Sequence, residues 1–237
     1  MIRGGRIRIP SGLDPVPTQI AALSPEFYFR MGETGGANPV DTTGNKTAAL
    51  TSGYTWDQTG VVFGDSNTAL LLSGGTITFS PTLGFGSLNQ SRVASVKTTD
   101  TDSTSNYDGD PAMTVLGDST PGVWDGFGIH DGKVQYRRFN NSVWQTFTGS
   151  TSVNDGNWHQ IGMTYNSTTR DVILYVDGAD DGGGTMSSHQ NQGGISAIGR
   201  GYNVNDNFRG TLDEVAASAT LWTAQNFADL WNRSVNG

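Results

Sequence analysis

Two carboxylates on one face of a strand are the minimum equipment of a glycosidase, and this chain has little from which to build them. Of its 22 acidic residues only Glu26, Glu33 and Glu214 are glutamates. They lie too far apart in sequence to set an acid and a nucleophile side by side on one strand. Leu212-Asp213-Glu214-Val215 is not such a pair. A pair built from aspartates stays open, although most aspartates here sit in turn-like contexts. His130, His159 and His189 show no paired spacing for a metal. With no cysteine, thiol chemistry, disulfides and thiolate metal sites are excluded. No Gly-x-Ser-x-Gly elbow offers a nucleophile, and no Gly-Lys-Ser/Thr follows Gly182-Gly183-Gly184. The chain reads as a non-enzyme.

Binding chemistry is better supplied. A sugar site needs an aromatic face for the pyranose C–H surface and amide, hydroxyl or charged groups beside it. Trp124, Tyr136, Trp144 and Tyr202 lie in or beside loop-rich segments with Asp, Asn and Arg neighbours, and are the candidate glycan-binding residues. The competing reading for each is a core aromatic. Asp100, Asp102, Asp108 and Asp110 share one polar loop, but they depart from EF-hand spacing and lack its closing Glu.

These residues must be positioned by strands. Val153 to Tyr165 and Asp171 to Gly178 read as an Asp-Gly turn, a strand opened by Trp158-His159, a polar turn, a second strand and another Asp-Gly turn. The ordinary role for His159, at the start of that strand, is a structural hydrogen bond. Gly is 33 of 237 residues, and 19 of the 22 acids are Asp, the turn-forming acid. Six Asp-Gly pairs fit the same picture of short strands and tight turns. Further strands are expected at Ile77 to Phe79, Arg92 to Val96, Met113 to Leu116, Phe127 to His130, Lys133 to Phe139 and Val143 to Phe147. Leu221 to Trp231 reads as a short amphipathic helix capped by Thr223.

Residues 1 to about 25 read as an arm, with Pro10, Pro15 and Pro17 breaking regularity. Arg3, Arg6 and Arg8 alternate with Ile7 and Ile9, so the first ten residues carry +3 in a chain of net charge -8. Either the terminus is loosely docked, or it is an anchor that adds a strand or ion pairs to a larger assembly. The acidic body argues against binding nucleic acid or an anionic membrane surface. No run is long enough for membrane insertion, and no apolar segment follows the basic start as in a secretory signal peptide.

Several stretches resemble one family. The Trp158 hairpin is similar to the "DGxWHxVxxTY…LYVDG" pattern of the laminin-G-like branch of the concanavalin A-like lectin/glucanase superfamily. Phe27 to Gly36 with Asp41 to Asn45 resembles its opening "YWRLGEtsG…DssGn". Gly60 to Gly74 resembles "GxxxGDxxTAVxxDG", and Ile195 to Gly199 with Phe208 to Ala216 resembles "ixIG…FxGxIDEVxv". The resemblance covers roughly Phe27 to Trp231. It implies an all-β fold, an antiparallel two-sheet jelly-roll sandwich with an N-terminal arm (1–25) and one sandwich domain (26–237), which usually binds rather than catalyses. It also implies a structural calcium tying the first strand to the last, for which Asp41 and Asp213 are the positions. Solvated turn aspartates, or backbone hydrogen bonds to Asp213, are the alternatives.

The arginine arm, the missing signal peptide and the likeness to phage-encoded laminin-G-like domains lead to an expected function. The protein is expected to be a non-catalytic bacteriophage virion component, a capsid decoration or minor capsid or tail protein on the virion surface. Its partners would be other virion proteins, in multiple copies, and host-surface glycans. The alternative is a carbohydrate-binding module of a secreted bacterial protein, with an extracellular location; a hydrolase comes last.

Overall fold

The computed structural model describes residues 16–84, 88–100, 113–117, 125–140, 143–187, 194–200 and 207–236. In chain order these form α1 (Val16–Ala22), β1 (Phe27–Phe29), β2 (Thr47–Leu50), β3 (Tyr54–Thr59), β4 (Thr68–Ser73), β5 (Ile77–Gly84), β6 (Gln90–Lys97) and β7 (Met113–Gly117). They continue with β8 (Asp125–His130), β9 (Lys133–Asn140), β10 (Val143–Ser152), β11 (Trp158–Tyr165), β12 (Asp171–Val176), β13 (Ala179–Thr185), β14 (Gly194–Ile198), β15 (Arg209–Ser218) and α2 (Ala224–Asn236). Among the described residues the strands make two antiparallel sheets. The first runs β13-β12-β11-β6-β15-β4-β3 with β1 on β15, and the second runs β10-β9-β8-β7-β14-β5-β2. This is the expected all-β, two-sheet jelly-roll sandwich.

Alternation decides what lies between the sheets. Ala94 and Val96 of β6, Ile161 and Met163 of β11, and Phe127 and Ile129 of β8 point inward, joined by Phe27, Phe29 and Phe79. Each fully buried large apolar side chain contributes about 1.5–3 kcal/mol. The Trp158 hairpin is as read from sequence, with Ile161 opposite Val176 and Tyr165 opposite Val172.

The outward-facing residues of the first sheet are covered by the two helices. Val93, Tyr175 and Ala216 pack with Val16, Ile20, Trp222, Phe227 and Leu230. Phe227 stacks on Tyr175 at 4.2 Å between centroids. Gly162 makes this approach possible, because a Cβ there would lie 2.5 Å from the Phe227 ring. Gly178 serves the hairpin twice: it holds φ at +77° in the turn, and a Cβ would lie 2.6 Å from Ala228. Thr223 caps α2 as expected. Its Oγ1 accepts from Asn226 N at 3.2 Å while Asn226 Oδ1 accepts from Thr223 N at 2.8 Å.

Two expectations are corrected here, and one strand was not among those expected. Val16–Ala22, placed in the arm, is a helix with Val16 and Ile20 buried. Pro17 lies in its first turn, where a missing N–H costs no intrahelical bond. Asp125-Gly126, counted among the turn-forming pairs, lies within β8. The glycine stretch at 182–184 is part of β13, with Gly182 and Gly183 at positive φ.

Candidate functional site

The centre of the first sheet's outer face is covered by helices; on the second sheet the middle strands β7 and β8 are buried, and exposure among the described residues is concentrated on the edge strand β10. The inward residues on β9 are Val134 and Tyr136, so Lys133, Gln135 and Arg137 face outward. Thr146 pairs with Arg137 and Thr148 with Gln135, which puts Trp144, Thr146 and Thr148 on the same face. Gln135 Nε2 donates to Thr148 Oγ1 at 3.1 Å. The Arg137 guanidinium carbon lies 3.9 Å from the centroid of the Trp144 ring. Arg137 is only 2% exposed and Trp144 is 37% exposed. The indole is therefore seated on a buried cation, a contact worth about 0.5–2 kcal/mol, and it turns its remaining surface outward. On β8, Gly126 and Gly128 stand opposite Arg137 and Gln135; both are buried, and a Cβ at Gly128 would lie 2.1 Å from the Met113 carbonyl oxygen.

A buried polar network supports this face from below. Arg92 of the first sheet meets Asp125 of the second, Nη1 to Oδ1 at 2.6 Å, and Arg138 Nε lies 3.8 Å from Asp125 Oδ2. The Tyr136 hydroxyl donates to Asp125 Oδ2 at 3.0 Å, and Gln90 Oε1 accepts from Arg92 at 2.7 Å. Burial, followed by the negative charge of Asp125, holds the Tyr136 phenol well above its ordinary pKa. Tyr136 was a candidate sugar contact; it is instead wholly buried between the sheets, with the Arg92 guanidinium carbon of the first sheet 5.3 Å from its ring centroid. Asp125 is also the single acidic residue in the seven described strands of this sheet.

The remaining candidates are distributed elsewhere. Trp144 is on the edge strand β10, whereas Trp124, Tyr202 and the arm residues Arg3, Arg6, Ile7, Arg8 and Ile9 lie outside the described residues. Asp41 accepts from the backbone N–H groups of Tyr28 (2.8 Å), Thr43 (3.1 Å), Asn45 (3.1 Å) and Lys46 (2.9 Å). Asp213 accepts from Val61 N at 2.9 Å and Glu214 N at 3.0 Å. Asp213 thus takes the backbone hydrogen bonds named as its alternative, and Asp41 is a buried, hydrogen-bonded turn residue rather than a solvated one. Among the described residues no three His, Asp or Glu side chains converge as for a metal. Asp100, from the acidic loop, binds Arg209 at 2.6 Å; Asp102, Asp108 and Asp110 lie outside the described residues.

His159 carries the structural hydrogen bonds expected of it, two rather than one. Nδ1 lies 2.8 Å from Asp177 Oδ2 and Nε2 lies 3.1 Å from Asp155 Oδ1. One imidazole thus joins the two Asp-Gly turns that flank the hairpin. The hydrogen bond to Asp177 raises its pKa above the ordinary value.

Two features escaped the sequence reading. The Arg137–Trp144 contact runs diagonally across a strand pair, so only the register reveals it. The second is a buried carboxylate pair at the β-bulge of β15, where Glu214 has φ near +50°. Burial pushes Asp213 up to about 7 and Glu214 up to about 8. Glu214 accepts from the Tyr28 hydroxyl and faces Arg30 at 3.4 Å, and Arg30 also pairs with Asp65. The pair sits on the helix-covered side of the first sheet, away from Trp144.

Comparison with known proteins agrees with this architecture. The model of the concanavalin A-like lectin/glucanases superfamily matches residues 92–226. Domain 4 of AbnA, an extracellular arabinanase from Geobacillus stearothermophilus solved with arabinotriose, superposes with a TM-score of 0.64 at 18% identity, covering 87% of this chain and 97% of that one. The binding domain of Paraclostridial Mosquitocidal Protein 1 gives 0.63 at 15% identity, covering 87% of this chain and 52% of that one, so this chain spans about half its length. The CBM40 of a Ruminococcus gnavus IT-sialidase, bound to α2,3-sialyllactose, gives 0.50 at 12% identity over 61% of this chain and 83% of that one. At these identities the likeness concerns the fold.

Proposed function

The chain belongs to the concanavalin A-like lectin/glucanases superfamily, and from that membership we propose that it is a non-catalytic glycan-binding sandwich whose ligand lies across Trp144. The observation that carries this reading is the asymmetry of the two outer faces. Helices cover the centre of one, while the edge strand β10 of the other offers the indole of Trp144 seated on Arg137 beside the exposed Thr146 and Thr148. A pyranose packs its C–H face on such a ring and bonds its hydroxyls to such neighbours. The neighbours solved with arabinotriose and sialyllactose support the reading at the level of the fold. Absence of catalysis is supported by the acids: Asp125 points inward into its arginine pair, and Glu214 is buried on the opposite side of the sandwich.

The fuller reading places the domain on the exterior of a bacteriophage virion, in multiple copies, anchored to capsid or tail proteins by Arg3, Arg6, Ile7, Arg8 and Ile9. What supports it is a basic, alternating terminus on a body that is otherwise strongly acidic. The second reading, a carbohydrate-binding module of a secreted bacterial protein, is favoured by the fold match to a domain of an extracellular arabinanase. Deleting residues 1–15 separates the two: the virion reading expects a folded, sugar-binding protein that no longer enters particles. A glycan array tests the shared core, which expects saturable binding to at least one oligosaccharide. Folded protein that binds none leaves an architectural role only.

A further inference from the structure

A second concavity lies on the other side of the sandwich, between the loop that joins β3 to β4 and the C-terminal end of α2. It has a volume of about 530 Å³ and is lined by Val61, Phe63, Asp65, Asn67, Trp158 and Val235, among others, within the ≈ 300–1,000 Å³ range of small-ligand sites. Phe63 is 67% exposed and Val235 39% exposed. An exposed phenyl ring on a loop is unremarkable if the loop is free to fold back, but this one is held. Phe63 N donates to Ser234 O at 2.8 Å, Val61 N to Asp213 at 2.9 Å, and Asn67 Nδ2 to the Arg30 carbonyl at 2.9 Å. Gly60 fits tightly beneath the loop, since a Cβ there would lie 2.6 Å from the Asn67 carbonyl oxygen. The aromatic surface is thus kept open by contacts on three sides.

We propose that this cleft is a second sugar subsite, one that takes a neutral pyranose ring against Trp158 and Phe63; it rests on the glycan-binding reading and extends it. The lining selects that chemistry. Its apolar part is two aromatic rings and three valines, and its polar part is Thr59, Ser66, Asn67 and Thr68. Flat C–H faces match the rings and hydroxyls match the polar edge. The one ionisable residue in the lining is Asp65, which is already paired with Arg30, so a charged ligand finds no free counter-charge. Trp158 opens the strand locked by the hairpin and His159, so its indole is presented from a rigid element.

Proton–nitrogen correlation spectra test this with arabinotriose, cellotetraose and maltotetraose as probes at millimolar concentration, the indole signals being assigned by Trp158→Phe and Trp144→Phe. The expected result is a saturable shift of the Trp158 indole and the Phe63 amide with at least one probe, unchanged when Trp144 is replaced by Ala. Phe63→Ala, on an exposed loop position, should weaken that titration about fivefold while leaving the Trp144 signal's response as it was. If Trp144 responds and neither Trp158 nor Phe63 does, the second subsite is wrong and the first stands. If Phe63→Ala titrates like the parent, the second subsite is likewise wrong. If no indole responds to any probe, the subsite and the glycan-binding reading fall together.

Discussion

At the scale of the residue, the account turns on how Arg137 and Asp125 spend their charge. Arg137 holds the Trp144 ring from behind, so it acts on a ligand through the indole. Arg137→Met keeps much of the aliphatic volume but removes the cation. It should lower sugar affinity several-fold at the Trp144 site and broaden the Trp144 indole signal, with little change in the overall fold. Titration calorimetry beside that spectrum checks it, and unchanged affinity would remove Arg137 from the site. Asp125 spends its charge inside, facing Arg92 and Arg138. Asp125→Ala should cost about 3–5 kcal/mol, because it removes a buried carboxylate from two buried guanidinium groups; denaturant unfolding would show a loss of that size. Little of this was legible in sequence. Trp144 was a candidate by neighbourhood, but so was Tyr136, and nothing local tells an outward aromatic from an inward one on adjacent strands. That distinction comes from register. A charged Arg92–Asp125–Arg138 cluster between sheets also runs against the usual exposure of such residues.

At the scale of the element, helix α2 is fitted to the β11–β12 hairpin through Gly162 and Gly178. Gly162→Ala would drive a methyl group to within 2.5 Å of Phe227, so the helix must lift. A cost of about 1–3 kcal/mol is expected in thermal or denaturant unfolding, and a neutral result would mean that α2 is loosely held. The hairpin itself was fully legible, because its two strands are buried, rich in β-branched and aromatic residues, and bounded by Asp-Gly turns. The cap of α2 at Thr223 was legible for a similar reason, as a local side-chain signal. Helix α1 was not: three prolines in one stretch read as breakers, and only docking against α2 shows Pro17 in a first turn. β13 was missed because three glycines resemble a loop. Its strand state is imposed by pairing with β12, a tertiary effect that overrides propensity.

At the scale of the whole molecule, the ionisable groups predict an acid-leaning stability profile. Asp213 and Glu214 are raised by burial to about 7 and about 8. Their contribution is whole below the unfolded carboxylate range near pH 4, shrinks as the pH rises and is gone above about 8. His159, raised by Asp177, acts in the same sense, its clamp weakening as the pH passes its folded pKa. Asp155 works oppositely. Backbone and side-chain hydrogen bonds from Asn157 hold it at about 2, so its contribution is lost on acidification below the usual carboxylate range. The melting temperature should therefore peak near pH 5 and decline toward pH 9, and Asp213→Asn with Glu214→Gln should flatten the alkaline limb. A profile that rises from pH 5 to pH 9 would contradict the burial of that pair as a neutral unit. Calcium should leave the melting temperature unchanged relative to chelator, since Asp41 and Asp213 already accept backbone hydrogen bonds; a rise of several degrees would show a calcium site. The whole-molecule claim, a sandwich that binds sugar across Trp144 on the edge strand of its second sheet, is tested most directly by titrating the best array ligand into the protein and into Trp144→Ala, with circular dichroism to show that both are folded. The predicted result is saturable binding by the parent and at least about tenfold weaker binding by the variant. Equal affinity in the two proteins would contradict it.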